Sequence, residues 1–314
     1  MPQLIAYVGA KEGYEALVAE AGSSVATVHV DAEPLAVAQA LSRAAGFLDA
    51  SMKVRITDAM VDQAPGLRII SCATTGSDHI ERGALDRRGI AVRTLKEDPA
   101  LLQDLTPAAE LSWALLMACA RRLKGAFRHV DQGGWVREEF PGIMLKGRTL
   151  GLVGCGRIGG WMARYAQAFG MRVLACDPYQ AKLPDGVLDT PLASLVEQAD
   201  FLSIHVHLGD ETRGLLSADL LRRCKPGAIL INTSRGAVVD EGALLEGLLN
   251  GRIAAAGVDV LDGEPDIADH PLAVYARTHE NLLITPHCGG FSPDAVRLVC
   301  RQAARKILAE LEKA

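Results

Sequence analysis

The chain has 314 residues, enough for two domains of ordinary size with sizeable cores. Its 33 basic and 38 acidic residues give a formal charge of −5 with no basic stripe, which argues against nucleic acid as a partner; no apolar run approaches the roughly 18 uncharged residues of a membrane span. Apolar residues make up 49% but aromatics only 4%, so aliphatic cores are expected, and seven scattered cysteines without CxxC spacing fit reduced thiols in a cytoplasmic protein.

Strand-like and helix-like segments alternate throughout, the pattern of parallel α/β layers. The opening MPQLIAYVGAKEGYEA carries no export signal. The first third reads as strand LIAYV, helix GYEALVAEAG, strand VATVHV, helix PLAVAQALSRAA and strand GFLDA. Helix TDAMVDQA, strand LRIISCA, helix HIERGALDRRG and strand IAVRT follow, completing a small five-stranded, doubly wound domain. From Pro107 a long helix is expected, because proline suits a first turn and Leu111, Leu115 and Ala118 share a face. HVDQGGWVREEFPG reads as looser chain. A second series, TLGLV, MRVLAC, FLSIHV, AILIN, AAAGVDV and NLLIT, gives six strands with intervening helices, the dinucleotide-binding architecture. FSPDAVRLVCRQAARKILAELEKA reads as one amphipathic helix capped by Ser292 that packs back on the first domain. The expected division is residues 1–98 plus 290–314 as one discontinuous domain and 99–289 as the other.

Gly154, Gly156 and Gly159 form GxGxxG between the strand TLGLV and the helix RIGGWMARYAQAF, the context that gives this motif meaning. The first glycine permits a tight turn, the second lets backbone approach a pyrophosphate, and the third lets helix and strand pack closely. The phosphates would lie on the free amides of the helix start. Asp177 follows 21 residues after Gly156, at the end of the next strand. A carboxylate there accepts from both ribose hydroxyls and repels a 2′-phosphate, so NAD is favoured over NADP. A glycine turn without a ligand, beside a surface aspartate, is the plainer alternative.

Three later strands end in polar groups: INTSRG holds Arg235, DVLDGEP holds Glu264, and ITPHCGG holds His287. In an open parallel sheet these strand ends face the ligand. Reduction of a 2-oxo acid needs a hydride at the ketone carbon, a proton at its oxygen and a clamp on its carboxylate. A planar guanidinium can donate to carboxylate and carbonyl together. An imidazole can supply the proton. Glu264 would orient that imidazole and favour its protonated form. Taken singly, Arg235 could be an ion-pair partner, Glu264 a loop carboxylate and His287 a turn residue.

With these motifs in order, the chain resembles the D-isomer-specific 2-hydroxyacid dehydrogenases essentially end to end. GCGRIG, Asp177, KPGAILINTSRGAVVDEGALLEGLLNGRIAAAGVDVLDGEP and TPHCGG carry the resemblance. It implies a flavodoxin-like substrate domain and a Rossmann NAD-binding domain. It implies Arg235 as substrate clamp, Glu264 as histidine partner and His287 as general acid/base. Arg157 and Ile158 would touch the pyrophosphate region, with Thr233 and Asp259 on the nicotinamide side. The helix from Pro107 would help build a homodimer. In the loop SCATTGSDHIE, the amides of Thr75 and Gly76 would take the substrate carboxylate, and a turn of exposed amides is a plausible anion nest on its own physics.

Some residues depart from the commonest pattern. His207 stands where proline is frequent. Thr75 occupies the position of a lysine in phosphite-oxidising relatives, which counts against phosphite. Lys53, just past the strand GFLDA, could meet a second anion such as a phosphate or phosphonate, or be a solvated surface lysine. Cys288 reads as packing, since hydride transfer needs no thiol. No metal ligands and no regulatory domain after the last helix are expected. Hydroxypyruvate or glyoxylate reduction and 3-phosphoglycerate oxidation both stay open. So does an NAD-gated interaction protein like the corepressors that share this fold, although no basic import cluster is present.

Overall fold

A computed structural model describes residues 3–23 and 25–313. The chain forms two compact units, Met1–Leu105 with Gly290–Ala314, and Thr106–Gly289. Residues 99–105, expected with the second domain, group with the first. Asp98, just before the short helix Pro99–Gln103, accepts from Gln302 Nε2 at 2.7 Å and pairs with Lys306, both on the last helix.

In the first unit, β1 (Leu4–Val8), β2 (Ala26–Val30), β3 (Gly46–Asp49), β4 (Ile69–Cys72) and β5 (Ala91–Arg93) form a parallel sheet of order β2-β1-β3-β4-β5. The central strands are apolar on both faces because helices cover both. Phe47 and Ile70 pack with Val37, Leu41 and Leu85 on one side. On the other, Ile5, Leu48 and Ile69 meet Cys300, Ala303, Ala304 and Ile307 of the helix Pro293–Leu311. Full burial of Ile307 contributes about 2 kcal/mol. A Cβ at Gly46 would lie 2.5 Å from Ile307 Cγ2, so this glycine lets the helix settle on β3. Ser292 caps that helix, its hydroxyl accepting from Ala295 N at 3.3 Å.

The second unit holds β6 (Thr149–Val153), β7 (Arg172–Cys176), β8 (Val187–Asp189), β9 (Phe201–Ile204), β10 (Ala228–Asn232), β11 (Ile253–Val258) and β12 (Leu282–Ile284). All pair in parallel, in the order β12-β11-β10-β9-β6-β7-β8. The sheet has seven strands where six were expected. The addition, β8, is a three-residue edge strand with two exposed positions, too short and too wet to leave an apolar signature. The strand order reverses between β6 and β9, the point where such sheets take dinucleotides.

The helix from Pro107 is shorter than expected, ending at Ala120. Arg122 adopts a left-handed conformation (φ +52°), which helical geometry excludes, and Ile143 N caps the Ala120 carbonyl at 2.8 Å. A second helix, Leu123–Asp131, then takes in the first residues of the segment expected to be loose. No helix among the described residues is long and apolar enough to cross a membrane.

Candidate active site

The turn after β6 has the geometry a dinucleotide requires. Gly154 has φ +88°, and a Cβ there would meet the His205 carbonyl at 2.8 Å. A Cβ at Gly159 would lie 2.3 Å from the Gly154 carbonyl oxygen, so only glycine lets the helix Arg157–Ala168 start this close to the strand. Gly156 differs: its Cβ would point into open space, the side from which a ligand can reach the backbone. Arg157 and Ile158 form the first helical turn, whose amides lack intrahelical acceptors. Burial holds the Arg157 guanidinium below its ordinary value. Asp177, past the end of β7, accepts from Cys155 N at 2.8 Å and Tyr179 N at 3.0 Å, which ties the acid to the glycine turn.

Three further loops, at the ends of β10, β11 and β12, are built against one another. Asn232 accepts from Ser234 N at 3.0 Å and donates to the Arg235 carbonyl at 2.9 Å, folding the chain sharply at Arg235. Arg235 Nη1 donates to the Ser234 carbonyl at 2.8 Å. A Cβ on Gly236 would lie 2.1 Å from Asp262 N, so the arginine loop touches the backbone of the loop carrying Glu264. Oε1 of Glu264 lies 2.5 Å from Nδ1 of His287, and the side chains are 30% and 34% exposed. His287 is left-handed, with φ +52°, a costly state for a non-glycine residue unless its surroundings enforce it. Its amide donates to the Asp259 carbonyl at 2.9 Å.

Asp259 is 1% exposed. Its carboxylate accepts from Thr285 Oγ1 (2.5 Å), Cys288 N (2.9 Å) and Gly289 N (2.7 Å), so its contacts within the unit brace the histidine loop. Thr233 Oγ1 lies 2.6 Å from Ser112 Oγ on the helix Pro107–Ala120. Burial and Asp259 raise the Cys288 thiol above its usual range. Among the described residues, no cluster of three or more His, Cys, Asp or Glu side chains could hold a metal.

Lys53, Thr75 and Gly76 belong to the first unit. Lys53 is exposed, and Met52 before it is left-handed (φ +56°). Thr75 and Gly76 follow β4; Thr74 Oγ1 donates to the Gly76 carbonyl at 2.7 Å, closing a tight turn. Among the described residues, no protein acceptor takes the amides of Thr75 and Gly76.

Residues 113–289 match the model for the D-isomer specific 2-hydroxyacid dehydrogenase NAD binding domain, and residues 10–100 that of the catalytic domain. The chain belongs to the D-isomer-specific 2-hydroxyacid dehydrogenases. It is similar to a glyoxylate reductase of Korarchaeum cryptofilum, 40% identical over 79% of this chain and 74% of that one. It is also similar to a hydroxypyruvate reductase of Thermotoga maritima, 34% identical over 82% of each. A solved D-lactate dehydrogenase of Aquifex aeolicus, complexed with NAD and lactic acid, superposes with a TM-score of 0.84 at 25% identity, covering 98% of this chain and 96% of that one. This dehydrogenase is therefore an NAD-dependent oxidoreductase.

Sequence reasoning about the dehydrogenase weighed His207 and passed over His205. The latter follows β9 beside the glycine turn, with its amide donating to the Val153 carbonyl at 2.7 Å. Nε2 sits 2.8 Å from Ser203 Oγ, while Nδ1 is buried and has no partner among the described residues, and burial pushes the imidazole down to about 3. Its only sequence signal was a histidine at the end of an apolar strand. Glu241 was also missed. It accepts from Asp262 N at 3.0 Å and faces His270 Nε2 at 2.9 Å, fastening the Glu264 loop, and burial raises its carboxyl above the ordinary range.

Proposed function

We propose that the protein reduces a small 2-oxo acid of the glyoxylate or hydroxypyruvate class to the D-2-hydroxy acid, with Arg235, Glu264 and His287 as its catalytic residues. The Glu264–His287 pair, on loops that also abut the Arg235 loop, is the observation that carries this reading. The names of the glyoxylate and hydroxypyruvate reductase relatives support the substrate class.

Gly154, Gly156, Arg157, Ile158 and Gly159 would hold the cofactor's pyrophosphate, and Asp177 its adenosine ribose. Thr233 would lie toward the nicotinamide, and Asp259 would act there through the loop it braces. Bound NADH supplies the hydride. Arg235 orients the acid through bidentate hydrogen bonds and polarises its carbonyl. With Nδ1 of His287 held by Glu264, Nε2 is the nitrogen that gives its proton to the carbonyl oxygen, and takes one back in the oxidative direction. In the first unit the open amides of Thr75 and Gly76 are suited to the substrate carboxylate.

Purified protein with NADH and a panel of 2-oxo acids tests this through loss of NADH absorbance. Tight NADH binding without turnover on any acid would favour the NAD-gated interaction protein instead. A phosphorylated or phosphonate acid is the second reading. It is favoured by Lys53, whose ammonium has no ion-pair partner among the described residues; the same panel, extended to such acids and run in both directions, decides it. We also place the protein in the cytoplasm as a homodimer. All seven thiols are free, which suits a reducing compartment. Phe127, Val130, Trp135 (88% exposed) and Met144 leave an apolar surface that a second copy could cover. Sedimentation as a monomer would overturn the dimer.

A further inference from the structure

Asp49 ends β3, yet it is 1% exposed. A buried carboxylate is costly unless its oxygens are bonded. Oδ1 accepts from Ser51 N (2.8 Å), Met52 N (3.1 Å) and Ser51 Oγ (3.3 Å), gathering the left-handed turn before Lys53. Oδ2 lies 2.8 Å from Nε2 of His79, whose side chain is 10% exposed. His79 belongs to the segment after β4 that also holds Thr75 and Gly76. Its Nδ1 is buried and has no partner among the described residues. Backbone bonds flank the pair, with Ala73 N donating to the Asp49 carbonyl at 2.8 Å and Ile56 N to the His79 carbonyl at 2.9 Å.

The place of this pair in the sheet gives it meaning. The strand order of the first unit turns back between β1 and β3, and open α/β sheets take ligands outside the carboxyl ends of the strands at such a point. The turn at 51–53 leaves β3 at that point, and the turn at 74–79 leaves the neighbouring parallel strand β4 at the same edge of the sheet. Each is irregular backbone closed by its own short bonds, Lys53 N to Ser51 Oγ at 3.3 Å in the first and Thr74 Oγ1 to the Gly76 carbonyl at 2.7 Å in the second, and neither of these bonds fixes one turn against the other. A single buried carboxylate, with the imidazole opposite it, joins them.

We infer that Asp49 and His79 are positioning residues for the substrate anion. They fix the turn bearing the Thr75 and Gly76 amides against the turn bearing Lys53. This rests on the 2-oxo acid reading above. The pair does not touch the reacting atoms; it acts through those amides. A group that only fills space could be replaced by leucine, whereas this role needs a donor aimed at Oδ2. Asparagine supplies such a donor with a shorter reach.

The test compares wild type, His79→Leu, His79→Asn and Asp49→Asn by steady-state kinetics on an accepted 2-oxo acid, with NADH affinity by fluorescence and melting temperature as controls. Leaving Asp49 half-paired should raise KM for the acid by about tenfold in His79→Leu, with a smaller change in kcat and unchanged NADH affinity. His79→Asn should recover most of that loss. Asp49→Asn should raise KM as well, and it carries the test if His79→Leu does not fold. A folded His79→Leu or Asp49→Asn protein with the KM of wild type would overturn the inference while leaving the enzymatic reading intact. Wild-type protein that turns over no 2-oxo acid would overturn both.

Discussion

Nδ1 of His287 and Oε1 of Glu264 are 2.5 Å apart, and Oε2 of the same glutamate accepts from Leu261 N at 3.3 Å. The carboxylate is thus anchored to its own loop before it meets the imidazole. That anchoring fixes which ring nitrogen is left for chemistry. His287→Ala should lower kcat by about 10²- to 10⁴-fold, the usual worth of a general acid, with NADH affinity intact. Glu264→Gln should cost less, because an amide still orients the ring. An unchanged rate in His287→Ala would remove the proton-donor role.

Cofactor choice is expected to follow Asp177. Its bond to Cys155 N means that alanine also loosens the glycine turn, so Asp177→Asn is the gentler companion to Asp177→Ala. Both should raise kcat/KM with NADPH relative to NADH. If the ratio stays put in both variants, another group sets the preference.

Arg235→Lys keeps the charge but loses the planar fork. Hydrogen bonds to charged groups are worth about 1.5–3 kcal/mol, so kcat/KM should fall by about a hundredfold, with kcat sharing in the loss. A change confined to KM would make Arg235 a binding group only.

Cys288 adjoins the histidine, and its thiol is raised by burial and by Asp259. At pH 7 it should therefore resist iodoacetamide, and Cys288→Ser should keep turnover within about twofold of wild type. Rapid inactivation that the serine variant abolishes would mean the thiol matters to the site.

Acid should weaken the second unit through His205. In the unfolded chain this imidazole takes a proton near pH 6.5; in the folded protein it does so only at about 3. Between those values the unfolded chain binds a proton that the folded protein refuses. Stability is thus at its full value above pH 6.5 and declines as the pH falls toward 3. Urea midpoints at pH 7 and pH 5 should differ less in His205→Asn than in wild type. An equal midpoint difference in the two proteins would assign the acid sensitivity to other groups.

Strong periodicity made much of this molecule readable in one dimension. The five strands of the first unit are apolar runs bounded by turns, and all five form. The glycine turn and the loops of Arg235, Glu264 and His287 were legible because their residue types are rare together at strand ends. What escaped was set by three-dimensional neighbours. The strand β8 is held by the edge that β7 offers and by Val187 packed on the core, neither of which a three-residue run advertises. The helix break at Arg122 depends on a left-handed residue that no glycine advertises. Asp49 carries no signal in the sequence; its burial and its pairing with His79 exist only in three dimensions.

The helix Pro293–Leu311 covers one face of β1, β3 and β4. During synthesis the first unit therefore waits. Its early strands leave the ribosome with Ile5, Leu48 and Ile69 covered only in part, by Ala16 and Leu17, and the rest of that cover comes with Val296 to Leu311. The second unit is one uninterrupted stretch and can close while the first is still incomplete.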